Sequence, residues 1–152
     1  MMTYGLIGVA ILIVAGLAFY AGRLLFLVKV QKESQLKAQH EHNEDVVKSL
    51  KIIASATIQG QCELAEASIR LSVLMGRLQL KDKRREAMEA AYTGIIGLYE
   101  NIKHLDTHNK RKALKKSERH KQDVFRLEQE QVFEEQIKGE LPSFENFKWH
   151  KA

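Results

Sequence analysis

The chain has 152 residues, with 24 Lys and Arg against 19 Asp and Glu and a formal net charge of +5. A hydrophobic content of 45% excludes a disordered polyelectrolyte, and a single cysteine, Cys62, excludes an intramolecular disulfide scaffold. Residues 30–152 suffice for one compact domain and not two.

The first element is the run TYGLIGVAILIVAGLAFYAG, residues 3–22, which holds no charged side chain. Twenty helical residues at ~1.5 Å each span ~30 Å, the thickness of the hydrocarbon core of a bilayer. A soluble helix rarely stays apolar all round for that length, because one face meets water. The run therefore reads as a transmembrane helix. A cleaved signal peptide fits less well: basic residues should precede its apolar region, and a polar mature sequence should replace the LLFLV that follows. Arg23, Lys29, Lys32 and Lys37 lie on the C-terminal side and MMTYG carries no such charge, which predicts the N-terminus outside and the body in the cytoplasm. Arg23, Lys29 and Lys32 then mark the inner membrane boundary, with the guanidinium of Arg23 reaching the headgroups. Gly8, Ala15 and Gly22, with Ala18 beside them, form a small-residue seam that permits close helix approach.

Beyond the span, a lone proline (Pro142) and few alternating apolar–polar segments argue for an all-α fold. The expected architecture is an anchor (1–28), a polar helical stalk (29–45), a small cytoplasmic helical bundle (46–138) and an aromatic tail (139–152). A solitary Cys62 suits a reducing cytosol. Helix one continues from the membrane, gathers apolar residues at Val46, Leu50, Ile53, Ala54 and Ile58, and stops at Gly60. In helix two, CELAEASIRLSVLMGRL, one face holds Leu64, Ala67, Leu71, Leu74, Met75 and Leu78. Ile69, Val73 and Leu80 fall opposite, so this helix is either central or presents an oligomer interface. Glu66 and Arg70 form an i,i+4 pair read as structural. Helix three, residues 83–105, carries a core face of Met88, Ala91, Tyr92, Ile95, Leu98, Tyr99, Ile102 and Leu105. Gly94 and Gly97 lie away from that face and raise the question of a close helix contact there.

Helix four is expected from Asp106 or Thr107 to Lys138, with a thin apolar seam of Leu114, Phe125 and Val132, and hence peripheral or partly projecting. Its first part is basic through Lys110, Arg111, Lys112, Lys115, Lys116, Arg119 and Lys121, and residues 123–140 are net acidic. This order opposes the helix dipole, so intrinsic helix stability does not explain it. A solvated surface, contact with anionic lipid, or antiparallel pairing of two copies are the readings that remain. Nucleic acid is disfavoured, because the patch is short and lacks interleaved aromatics.

No phosphate loop, nucleophile–base spacing or dinucleotide fingerprint occurs, so neither an enzyme nor a cofactor is expected. His40 and His42 point to different helix faces, and His104 and His108 straddle the expected break at Asp106, so no metal site is read. In the tail ELPSFENFKWHKA, the residues Phe144, Phe147 and Trp149 either fold back to close the bundle, the favoured reading, or dock elsewhere.

At GQCELAEASIRLSVL, together with the apolar N-terminal run and the short tail, the chain resembles a family of bacterial single-span proteins, the domain-of-unknown-function family numbered two thousand four hundred eighty-nine. The resemblance implies a bacterial inner membrane and carries no catalytic residues with it. The reading of the residues themselves is an interaction protein that binds itself or a protein partner, with an electrostatic lipid-contacting module as the alternative.

Overall fold

The computed structural model describes the backbone of residues 2–106 and 108–149 and the side chains of residues 12–106 and 111–149. The surroundings of Gly8 in the small-residue seam, the candidate N-cap Thr107, and the side chains of His108 and Lys110 lie outside what is described. Among the described residues the fold is all-α: α1 (Met2–Ile58), α2 (Leu64–Arg77), α3 (Asp82–Ala91), α4 (Thr93–Ile102), α5 (His108–Ala113), α6 (Lys116–Glu140) and a 3-10 segment (Leu141–Asn146). The chain divides into two compact units, residues 1–41 and 42–152.

The first unit is a single helical stretch. Its large apolar side chains from Leu12 to Val28 are all 45–77% exposed, with Phe19 the extreme. The helix is long and apolar enough to cross a membrane.

In the second unit, the end of α1 contributes Val46, Val47, Leu50 and Ala54 to the core. Ile58, expected inside, is 57% exposed. Gly60 stops the helix as expected. Its φ of +72° places it in the left-handed region, where the Gly60 N–H donates to the Thr57 carbonyl at 3.0 Å and the Gln61 N–H to the Ala56 carbonyl at 2.9 Å. That pattern satisfies two terminal carbonyls of the helix. Asn43 is fully buried. Its amide donates to the Gln79 carbonyl at 3.2 Å and accepts from the Gln79 N–H at 2.9 Å, which fixes the α2–α3 connection against α1.

Leu71 and Met75 line the core from α2, Leu78 from just past its end, and Ile95, Leu98 and Ile102 from α4. The single helix expected over 83–105 is two helices. Tyr92, at φ −124° and ψ 43°, separates α3 from α4, and Ala91 is exposed. Two interactions favour the break over a continuous helix. The Tyr92 ring stacks on Phe144 with centroids 4.3 Å apart. The first turn of α4 is also capped from outside, because the Glu140 carboxylate accepts from the N–H groups of Gly94 at 2.7 Å and Ile95 at 3.0 Å.

The helix expected from Asp106 to Lys138 is likewise two. Lys115, at ψ 151°, divides α5 from α6, and its N–H donates to the carboxylate of Glu118, three residues on, at 3.2 Å. Nor is α6 peripheral. It packs along α4 and against α2, burying Ile137 and half-burying Phe133, whereas Val132, expected in the seam, is 71% exposed. The close contact raised by the two glycines is present. A Cβ on Gly97 would lie 2.7 Å from Phe133 Cε1, and one on Gly94 would lie 2.8 Å from Gln136 Cγ.

Candidate functional site

The second unit holds a cleft of about 530 Å³ between α2, the end of α4 and the first half of α6. Its apolar floor is Ala65, Ile69, Ile102 and Leu105, and its rim carries the guanidinium groups of Arg70, Arg111 and Arg126. Each guanidinium meets a carboxylate. Arg111 grips Asp123 with two nitrogens, at 2.7 and 2.8 Å. Arg70 pairs with Glu66 one turn back, and Arg126 lies 3.6 Å from Glu63 and 3.9 Å from Glu130. The hydrogen bond from Arg111 holds the Asp123 carboxyl below the usual carboxylate range. That pair therefore stabilises the fold above the ordinary Asp pKa and is lost as pH falls through the lowered value.

Glu130 behaves in the opposite sense. Burial pushes its carboxyl above the ordinary value of 4.5, and the nearby charge of Arg126 only partly offsets this. One of its oxygens accepts from the Ala65 N–H at 3.2 Å, so Glu130 caps the N-terminus of α2 as Glu140 caps that of α4. The two caps account for part of the charge order that opposes the dipole of α6, since acids in its second half serve the N-termini of neighbouring helices. The folded chain holds the Glu130 proton to higher pH than the unfolded chain, so this group costs stability as pH rises from about 4.5 through the raised pKa. Glu130→Gln is expected to remove that component. In urea titrations at pH 4.5 and pH 7, the variant loses less stability between the two than the parent does.

The apolar face expected opposite the core on α2 is not continuous. Ile69 lies in the cleft floor and Val73 is 50% exposed. Leu80 lies past the helix end, in the connection to α3, where it packs against the core. The tail folds back, as favoured. Phe144 is fully buried, which closes it to any partner, and Phe147 packs edge-on to Tyr92 with centroids 6.2 Å apart. The Trp149 indole N–H donates to Glu44 at 3.0 Å, and its carbonyl accepts from Arg84 at 3.1 Å.

The basic residues do not form one patch on one helix. Arg111 and Lys112 belong to α5, and Lys115 sits at the break. Lys116, Arg119 and Lys121 belong to α6. Arg119 is half-buried, and Lys112, Lys115, Lys116 and Lys121 are exposed. Arg23, Lys29 and Lys32 are exposed on the first unit. His42, one of the histidines discounted as a ligand, has its Nε2 3.1 Å from the Arg77 carbonyl. Sequence reasoning missed Asn43, Glu130 and Glu140. For the two glutamates a signal existed, namely acids in the half of α6 that its own dipole disfavours.

Residues 14–143 match the family described as "Protein of unknown function (DUF2489)". An uncharacterized protein of Haemophilus influenzae is 37% identical over 133 residues, which cover 88% of this chain and 86% of that one. No solved structure matches the chain. The profile match spans every helix of the bundle and part of the apolar N-terminal helix, and the chain belongs to the DUF2489 family.

Proposed function

We propose that this is a single-span protein of the bacterial inner membrane, with its N-terminus outside, whose helical bundle works on the cytoplasmic face as a binding module for protein. One observation carries the reading: apolar side chains from Leu12 to Val28 on a lone helix, none of them buried. In water such a surface exceeds the exposed apolar patch a soluble monomer tolerates, whereas in lipid it costs nothing. Arg23, Lys29, Lys32 and Lys37 follow on one side only, which favours a cytoplasmic body. The same helix continues unbroken past Val28, which favours a retained anchor over a cleaved leader.

Binding is a better reading than catalysis for the bundle. The three guanidinium groups rimming its cleft are each neutralised by carboxylates, Asp106 is held by the Gln122 amide, and among the described residues no base is set beside a nucleophile. Anionic lipid as the main target of the basic residues is a weaker reading, because Arg111 is already neutralised by Asp123 and Arg119 is half-buried. Topology tests the proposal. With Cys62→Ser as background, Thr3→Cys is expected to react with a membrane-impermeant maleimide in intact cells, and Lys83→Cys, at an exposed position on α3, only after lysis. Labelling of position 83 in intact cells overturns the orientation.

A further inference from the structure

We infer that the outward face of α6 is the surface on which a second copy of this chain docks, antiparallel, about a two-fold axis; this deepens the binding reading above and rests on it. At 100° per residue, Ser117, Lys121, Val124, Leu127, Glu128 and Glu135 share an arc of ~120°, and all six are exposed. With Val132 on the same side, the middle of this face is apolar: Val124 is 40%, Leu127 51% and Val132 71% exposed.

The charges on α6 sort by direction. Of those turned toward the bundle or along the helix, Asp123 is engaged with Arg111, Glu130 with Arg126 and the start of α2, Glu134 with Lys138, and Glu140 with the start of α4, while half-buried Arg119 makes no ion pair among the described residues. Lys116, Lys121, Glu128 and Glu135 make no ion pair among the described residues, and they are segregated by sign along the helix. Capping explains Glu130 and Glu140 but does nothing for these four, whose order the dipole of α6 disfavours. A two-fold axis near residues 125 and 126 makes the same face complementary to itself. It brings Lys116, just beyond the edge of this face, level with Glu135 of the other copy, Lys121 within a turn of Glu128, and Val124 level with Leu127. Parallel pairing instead sets like charges together, so the order selects the antiparallel arrangement. Confinement of two anchored chains to one bilayer raises their effective concentration.

The test uses the full chain in its native membranes, with Cys62→Ser as background. Ser117→Cys and Glu135→Cys copies carrying different tags are co-expressed and oxidised. The 117–135 disulfide is expected to exceed the 117–117 and 135–135 products at least fivefold, because like positions lie ~25 Å apart along antiparallel axes. With Leu127→Cys as reporter, Lys116→Glu together with Lys121→Glu should cut self-crosslinking at least fivefold, and adding Glu128→Lys and Glu135→Lys should restore it. Equal like-with-like crosslinks, or none, overturn the pairing even if the chain stays in the membrane fraction, an outcome that leaves the anchored reading standing. Loss of binding to phosphatidylglycerol vesicles in the lysine variants, with no 117–135 product, assigns the lysines to lipid and also overturns it. A chain found only in the soluble fraction overturns the anchored reading, and the same crosslinks read there decide the pairing.

Discussion

Phe144→Ala is expected to destabilise the bundle by about 3–5 kcal/mol, the range for truncating a buried aromatic side chain, and to lower the melting temperature by roughly 10–20 °C. The residue is fully buried although it belongs to a short 3-10 segment near the end of the chain. Its ring stacks on Tyr92 at the α3–α4 break and touches Phe147, with centroids 6.1 Å apart. Truncation therefore opens a cavity where three elements meet, and it also releases the packing that fixes the angle between α3 and α4. Burial of Tyr92 raises its pKa, and its hydroxyl oxygen lies 3.0 Å from the Ser143 hydroxyl, on the same tail segment. Loosening of the tail should thus appear as a change in near-ultraviolet tyrosine dichroism in the same sample. A melting temperature within 3 °C of the parent would show that the tail is not part of the core.

Glu140→Ala is the second large effect, about 2–3 kcal/mol. It strands two N–H groups of the first turn of α4, Gly94 and Ile95, which have no intrahelical partner, and removes a negative charge from the positive end of that helix. Glu140→Gln keeps one acceptor without the charge and should recover about half of the loss. Thermal melts of the three proteins, read by circular dichroism at 222 nm, distinguish this from a general surface effect: Glu86→Ala, at an exposed position on α3, should change the melting temperature by less than 2 °C.

These residues also show where sequence reasoning reached and where it stopped. The helical class, the stop at Gly60, the main core face of α2 and the close approach at Gly94 and Gly97 follow from local chemistry: period, left-handed backbone and missing side chains. The return of Phe144, Phe147 and Trp149 to the bundle follows from composition, because three large apolar groups in a short tail favour burial against the nearest core. Both helix breaks were missed for one reason. At Tyr92 the stabilising partners are Phe144 and Glu140, about fifty residues away in sequence, and no window along the chain contains them. At Lys115 a local signal existed, Glu118 three residues on, but Lys is an unusual N-cap and the basic run looked uniformly helical. The seam of α6 was misplaced by one position, Val132 for Phe133, because an isolated valine and an adjacent phenylalanine fit a helical period about equally well until the glycines of α4 single out the larger ring.

The anchored reading predicts a simple result from membranes washed at alkaline pH. The chain should remain in the pellet, come out only with detergent, and have an intact mass that includes residues 1–28. Recovery of a soluble product from the periplasm, shorter by its first two dozen residues, would contradict the account at its root.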